Sequence, residues 1–326
     1  MSKQSVHSTS SGPVEKHPVR GLWKLALFST AFTYFVIFAG GLVRVAGAGL
    51  GCPDWPRCFG RWIPPTDVSQ IPAGIDPASF NFTLAWIEYA NRLGGVIFGL
   101  ILIYQSIYVL RHFRHDRQIL WTTLFATVLT GVQGWLGGYV VASELKPIIV
   151  SVHMALALVI LSLVIWTLLR ARTLLDPSKQ LAREKTIALR RWTVGLWIFA
   201  VFQLSLGAAV RGALEDLVET NPLATGRDAL ALIGTIKHWH LLCGMLMAAL
   251  TGYIWNRALS IDNRKSSPIR IAASSSLHTV GLQILLGFIL MLVGTAAVAQ
   301  LFHLMLASAF IGAVVFLNGA LQPKDS

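Results

Sequence analysis

Apolar stretches of about 20 residues recur along this chain, and they limit its possible folds more than any other feature. Each stretch is long enough to cross the hydrocarbon core of a bilayer as a helix. Only 13% of the residues are charged and 54% are hydrophobic, so a water-soluble domain would lack the charged surface that keeps it in solution. The sequence therefore predicts an all-α, polytopic membrane protein.

Eight transmembrane helices are expected, arranged as two tandem pseudo-symmetric four-helix bundles. The predicted spans are 22–44, 84–110, 118–141, 148–170, 191–211, 232–256, 271–293 and 296–318. They divide the chain into a disordered cytoplasmic tail at 1–21, an N-terminal half at 22–172, a cytoplasmic linker at 173–190, a C-terminal half at 191–318 and a cytoplasmic tail at 319–326. The first tail is polar and rich in serine, which is typical of disorder.

The net charge of +12 lies mainly in the first tail and in alternate loops. The basic loops join spans 2 and 3, 4 and 5, and 6 and 7, which is the distribution that orients membrane proteins. We therefore predict a multi-pass protein of the cell (plasma) membrane with both termini in the cytoplasm, in contact with membrane lipid. No basic face or base-stacking module accompanies the charge, so nucleic acid is not an expected partner.

Four short segments of the first half recur in the same order in the second half, one in each span. The matched pairs are Gly-Gly-Leu-Val-Arg at 40–44 with Gly-Ala-Ala-Val-Arg at 207–211, 87–93 with 236–242, Gln133-x-x-Leu136-Gly137 with Gln283-x-x-Leu286-Gly287, and Val152-His153-Met154 with Phe302-His303-Leu304. The order predicts a duplicated four-helix unit. Because four spans separate the matched segments, the two halves should have the same orientation in the membrane.

Three histidines lie near the outer ends of spans 4, 6 and 8, namely His153, His240 and His303. His240 and His303 share one depth in the second half and can face each other, as axial ligands of a haem iron do in helical bundles. The alternative is a pair of buried histidines that bond backbone carbonyls. In the first half the matching residues are Asn91 and His153, so this half offers one clear imidazole ligand.

Glu88 lies one helical turn before Asn91 and could orient a substrate or pass protons. Alternatively, it is a solvated acid that suits the start of a helix. Arg44, Arg92, Arg211 and Lys237 lie near the outer interface and could pair with haem propionates. The alternative for the arginines is contact with lipid headgroups.

The first outer loop contains Cys52-Pro-Asp-Trp-Pro-Arg-Cys58. The loop lies on the oxidising side of the membrane, where a disulfide between Cys52 and Cys58 is permitted. Such a disulfide is either structural or redox-active, and two free thiols are the alternative.

Residues 49–56, the Glu-Tyr-x-x-Arg segment at 88–92 and the intramembrane histidines resemble the haem A synthase family, over all eight spans. The resemblance implies an eight-helix bundle with pseudo-two-fold symmetry. It also implies a haem-dependent oxidoreductase of haem A biosynthesis, needed for cytochrome oxidase assembly. Members oxidise the C8 methyl group of haem O to a formyl group by two hydroxylations, after which a gem-diol loses water.

The resemblance also assigns roles to residues of this chain. His240 and His303 match the axial ligands of an iron-containing haem b cofactor, and His153 matches a ligand in the half that holds the substrate haem, beside Asn91 and Arg92. Glu88 matches the catalytic glutamate, and Cys52 and Cys58 match an outer-loop pair. Asn91 departs from the family, which has histidine there more commonly.

A haem O synthase (a farnesyltransferase) is the partner that would supply the substrate, and the electron donor is not identified by the sequence. Two other functions are considered. One is a haem-binding membrane cytochrome that relays electrons to or from quinol or the Cys52–Cys58 pair, although Asn91 argues against two bis-histidine haems. The other is a transporter without a cofactor, which would leave the three histidines unexplained.

Overall fold

The computed structural model describes residues 16–176, 183–221, 223, 226–294 and 296–322, and within these ranges the protein is helical and has no β-strand. The α-helices are α1 Lys16–Val45, α2 Phe82–His112, α3 Arg117–Ala142, α4 Pro147–Leu175, α5 Arg183–Thr220, α6 Gly226–Leu232, α7 Ile236–Ile261, α8 Pro268–Val293 and α9 Ala297–Ala320. All but the short α6 correspond to the eight predicted spans. The predicted all-α fold is therefore confirmed.

Seven of these helices are long and apolar enough to cross a membrane by length and composition. The eighth long helix, α7, has 26 residues but is less apolar, because His238, Trp239 and His240 lie near its start. Since α7 packs along α5 and α8 for much of its length, it belongs to the same bundle. The residues that make α7 less apolar include one of the predicted haem ligands.

The helices extend beyond several predicted boundaries. Helix α1 begins at Lys16, so residues 16–21 are helical where a disordered tail was predicted, and residues 1–15 of that tail lie outside the described residues. Helix α5 runs over 38 residues and takes in part of the predicted linker, of which 177–182 lies outside the described residues. Helix α9 likewise reaches two residues into the last tail, of which 323–326 is not described. Apolar patterns mark the membrane core, whereas helices continue through polar residues at the interface.

The two halves have matching helix neighbours. In the first half α1 packs on α2 and α4, and α3 packs on α2 and α4. In the second half α5, α7, α8 and α9 pack in the same cyclic order. The halves meet through α1, α4, α5 and α9, where one hydrophobic cluster joins Leu161 and Ile165 of α4 to Leu196 of α5 and Ile311 of α9.

The loop between α1 and α2, which the sequence predicts to lie outside the cell and which is called the outer loop below, folds over one end of the first half. Its buried residues Cys52, Cys58 and Phe59 pack on Ala85 at the start of α2. Gly51 allows this close approach, because a Cβ atom there would lie 2.5 Å from the carbonyl carbon and oxygen of Leu84. On the other side Trp55 packs on Gly138 of α3, where a Cβ atom would lie 2.8 Å from the indole ring.

Candidate functional site

The imidazole rings of His240 on α7 and His303 on α9 face each other in the second half, with centroids 6.4 Å apart and an interplanar angle of 58°. A metal ion held between two imidazoles lies about 2 Å from each nitrogen and the centroids lie roughly 1 Å farther, which separates the centroids by about 6 Å. The observed spacing therefore fits two axial ligands of one iron.

The Nδ1 atoms of both rings are buried, and neither meets the geometry of a hydrogen bond with a described residue. Within the described residues, no three His, Cys, Asp or Glu side chains cluster as a metal cage would require. Haem iron needs only axial ligands from the protein, so a facing pair is the arrangement suited to haem.

A glycine supports each histidine ring from the preceding helix of its half. A Cβ atom on Gly207 of α5 would lie 3.0 Å from Cε1 of His240, and one on Gly287 of α8 would lie 3.6 Å from Cε1 of His303. One turn before Gly207, the side chain of Gln203 donates a 2.7 Å hydrogen bond to the backbone carbonyl of His240. The glycine leaves room for the ring, and the glutamine fixes the helix turn that carries it.

The first half repeats this arrangement around His153 on α4. A Cβ atom on Gly137 of α3 would lie 3.5 Å from Cε1 of His153, and Gln133 donates a 3.0 Å hydrogen bond to the His153 carbonyl. The Nδ1 atom of His153 is also buried without a partner. His153 is thus available to a ligand in the manner of His240 and His303.

Asn91 on α2 takes the fourth equivalent position. Its Oδ1 would lie 3.6 Å from a Cβ atom on Gly40 of α1, just as His240 lies against Gly207. The residue one turn before Gly40 is Val36, where the other three positions have glutamine. The imidazole and its supporting glutamine are therefore both missing at one position of four, and the first half has one histidine at these positions where the second half has two.

Glu88 is buried, with 4% of its surface exposed, so the prediction of a solvated acid at the helix start is wrong. Its Oε2 accepts a 2.7 Å hydrogen bond from the backbone amide of Cys52, and its Oε1 accepts from the guanidinium of Arg92. Glu88 therefore ties the outer loop to the turn of α2 that carries Asn91.

Arg92 uses all five of its N–H donors on protein groups. Besides Glu88, it donates to the backbone carbonyls of Asp54 at 2.7 Å, Arg57 at 2.8 Å and Cys52 at 3.4 Å. No donor is left for the haem propionate that the sequence suggested. The structure instead gives Arg92 the role of holding the outer loop over the first half.

Cys52 and Cys58 form a disulfide within that loop, which confirms the predicted pairing. Both cysteines are buried, at 0% and 1% exposure, so the bond lies inside the loop and not on its surface. The backbone amide of Cys52 is the same one that bonds Glu88. One cysteine of the disulfide is therefore hydrogen-bonded, through its backbone amide, to the carboxylate of Glu88.

The other propionate candidates have different surroundings. Arg44 of α1 and Arg211 of α5, which are repeat partners, share the carboxylate of Glu215, at 3.7 Å and 2.7 Å. Arg211 also donates to the side chain of Gln300 at 2.7 Å. The ammonium of Lys237 donates to the carbonyls of Leu230 and Ala231 at the end of α6, so part of its hydrogen-bonding capacity is used there.

Sequence reasoning matched several of these glutamines and glycines between the repeats but did not predict that they support the imidazoles. A signal for them was present, because Gln-x-x-x-Gly occurs at 133–137, 203–207 and 283–287, each on a helix that precedes a histidine helix. It also gave no role to Glu215, which lies beyond the predicted end of span 5 at residue 211 but within the last turns of α5.

The fold and the site together define a multi-pass helical membrane protein with partly buried histidines, His153, His240 and His303, at matched positions of its two halves. Residues 23–315 match the family COX15-CtaA, described as cytochrome oxidase assembly protein, and the chain belongs to this family.

Similar proteins support that assignment. The chain is 27% identical to a heme A synthase of Granulibacter bethesdensis, over 90% of this chain and 87% of that protein. It is 24% identical to a heme A synthase of Exiguobacterium sibiricum, over 90% of this chain and 94% of the other, and 26% identical to one of Roseobacter denitrificans, over 88% and 84%. The likeness thus covers nearly all of both chains.

Proposed function

We propose that this chain is a haem A synthase of the cell membrane, which oxidises the C8 methyl group of haem O to the formyl group of haem A. The family and the names of its relatives support this activity. The contrast between the two halves is the observation that supports a cofactor site in one half and a substrate site in the other. The second half has two facing imidazoles, whereas the equivalent positions of the first half hold His153 and Asn91.

We assign haem b to His240 and His303, since two axial imidazoles suit a haem that stays bound and transfers electrons. When bound, this cofactor supplies one-electron redox chemistry. The chain's own residues hold the two rings at a fixed spacing, because Gly207 and Gly287 leave room for them and Gln203 fixes the turn of His240.

The substrate haem O is assigned to the first half, with His153 as its protein ligand. Asn91 carries a carboxamide that is a poor iron ligand, so the face of the substrate opposite His153 stays free for reaction. Glu88 lies one turn from Asn91 and is buried, so it can position or exchange a proton near that face. The loop pinned by Glu88 and Arg92 covers this end of the bundle and limits access of water.

The positive charge of alternate loops supports an orientation with both termini in the cytoplasm and the Cys52–Cys58 loop outside. In this orientation His153, His240 and His303 lie in the outer half of the membrane. A haem O synthase would supply the substrate from within the same membrane.

Pigment analysis of membranes that contain this chain and a haem O synthase tests the proposal. We expect haem A to form in the wild type and to be lost in the Glu88→Ala variant, while haem b stays bound. Haem b bound with haem O left unchanged in the wild type would contradict the synthase and favour an electron-relay cytochrome. A colourless purified protein would contradict both.

A further inference from the structure

A groove with a volume of about 390 Å³ lies between α1 and α2 of the first half. This volume is in the range of pockets that bind small ligands. Among the side chains that line the groove are Phe35, Phe38 and Ala39 of α1 and Trp86 and Ala90 of α2. Phe35 and Phe38 are 54% and 39% exposed on a helix that can span the membrane, so the open side of the groove faces lipid.

The lining of the groove suits an apolar chain. Of the nine residues that line it, only Thr83 and Trp86 carry a polar group in the side chain. The indole N–H of Trp86 already donates to the backbone carbonyl of Pro65 at 3.3 Å. Aromatic side chains border the groove, whereas the methyl groups of Ala39 and Ala90 leave space between them. A larger side chain at either alanine would take up this space.

The groove lies beside the candidate substrate site. Two of its residues, Ala39 and Ala90, immediately precede Gly40 and Asn91, which contact each other across α1 and α2. Successive residues of a helix differ in height by about 1.5 Å, so the groove and this contact lie at the same depth. At this depth α1 presents Gly40, which has no side chain, to Asn91 of α2. A substituent that leaves a haem ring in the first half between these helices would reach the groove directly.

The second half has large residues where the groove has small ones. The pairs Gly40 with Gly207 and Asn91 with His240 fix the equivalent positions of α5 and α7. By this alignment Leu206 and Trp239 replace Ala39 and Ala90. The bordering residues change in the opposite direction, from Phe38 and Trp86 to Ser205 and Thr235. The combination of two small residues with an aromatic border therefore belongs to the first half alone.

The two haems assigned to the two halves differ in the same way. Haem O carries a long, apolar hydroxyethylfarnesyl chain at the ring position where haem b has a vinyl group. The half assigned to haem O has the groove, and the half assigned to haem b has Leu206 and Trp239 in its place. Lipid surrounds both halves, so contact with lipid acyl chains does not explain why only one half has the two alanines.

We propose that the groove holds the farnesyl chain of haem O, and that Ala39 and Ala90 let the first half accept this haem. Leu206 and Trp239 exclude the chain from the second half, which therefore keeps haem b. The identity of the chain rests on the proposed function. An apolar chain gains little by moving from lipid into an apolar groove, because lipid tails are equally apolar. The groove therefore selects by leaving room beside the ring, and the large residues select by a clash.

Filling the groove tests the proposal without relying on activity. Ala90→Trp introduces the residue of the second half, and the purified protein with its resident haem b is titrated with haem O or with additional haem b. We expect binding of haem O to be weakened at least about tenfold by the clash, with binding of the added haem b unchanged. Val96→Trp is the control, because Val96 is 61% exposed on α2 outside the groove, and it should change neither. Unchanged binding of haem O, or equal weakening for both haems, would overturn the proposal.

The reverse change tests exclusion from the second half. His153→Ala removes the proposed ligand of the first half, and Leu206→Ala with Trp239→Ala then opens the equivalent space in the second. Each protein is produced with a haem O synthase, and its extracted pigments are separated by chromatography. We expect at least about tenfold more haem O when both large residues are replaced, because the clash is removed.

Equal amounts of haem O with and without these two replacements would contradict exclusion by Leu206 and Trp239. The outcomes also separate this proposal from the proposed function. If the wild type makes no haem A but both changes shift the choice of haem as expected, the proposed function fails and the groove stands. If haem A forms and neither change alters the choice of haem, the groove fails and the function stands.

Discussion

The carboxylate of Glu88 and the backbone amide of Cys52 are joined by a 2.7 Å hydrogen bond, 36 residues apart in the sequence. The bond links an acid inside the membrane bundle to the disulfide of the outer loop. Arg92 completes the link, because it donates to Glu88 and also to three carbonyls of the loop. The catalytic candidate and the loop that covers it are therefore one connected unit.

Loss of Arg92 should loosen this unit. Arg92→Ala leaves Glu88 as a buried charge without its partner, and breaking a buried ion pair costs about 3–5 kcal/mol. We expect faster proteolysis within residues 46–81, faster reduction of the Cys52–Cys58 disulfide by a water-soluble phosphine, and loss of haem A formation. Arg264→Ala, which removes an exposed ion pair with Asp262, is the control and should change none of these. An Arg92→Ala protein with wild-type reduction kinetics would show that the loop is held by other contacts.

The two histidines of the second half should be required for the resident haem. His240→Ala and His303→Ala each remove one of two facing imidazoles, so the low-spin absorption spectrum of haem b should be lost. His238→Ala is the matched control, since this exposed histidine lies two residues from His240 on the same helix. A His240→Ala protein that keeps a low-spin haem would mean that another residue ligates the iron.

Asn91 should control the state of the substrate iron. Asn91→His introduces an imidazole against Gly40, where the equivalent ring of His240 lies against Gly207. We expect a second axial ligand opposite His153, more low-spin haem in the first half by electron paramagnetic resonance, and slower formation of haem A. Adding Val36→Gln should strengthen the effect, because it restores the glutamine found at the other three positions. Asn91→Ala serves as control, and an Asn91→His protein with unchanged spin state would argue against His153 as the opposite ligand.

Gly207 should be sensitive to the smallest enlargement. In Gly207→Ala the new Cβ would lie 3.0 Å from the His240 ring, and overpacking of this kind costs about 1–3 kcal/mol. We therefore expect haem b to be retained at least about fivefold more weakly, measured by transfer to apomyoglobin. Gly287→Ala is the control, because its Cβ would lie 3.6 Å from His303, an ordinary contact. Alanine is favoured over glycine within helices, so weaker haem binding cannot come from loss of helix stability.

Periodicity and charge were sufficient to predict the helices, since a bilayer requires apolar spans of a nearly fixed length. The histidines could also be predicted as site residues, because imidazoles at matched depth stand out among the apolar residues of the spans. The role of Arg92 could not be predicted from the sequence. Its partners include backbone carbonyls of a loop, and no local sequence pattern determines the course of that loop.

Arg44 and Arg211 come from equivalent positions of the two halves, yet they share the single carboxylate of Glu215. The residue equivalent to Glu215 in the first half is Ala48, so one half supplies the counter-charge for both. The two halves therefore depend on each other for this pairing of charges. Suppose that the chain is cut between α4 and α5 and the halves are produced separately. The N-terminal half then contains Arg44, which is partly buried, without the carboxylate of Glu215. We expect it to fold stably only when the C-terminal half is present.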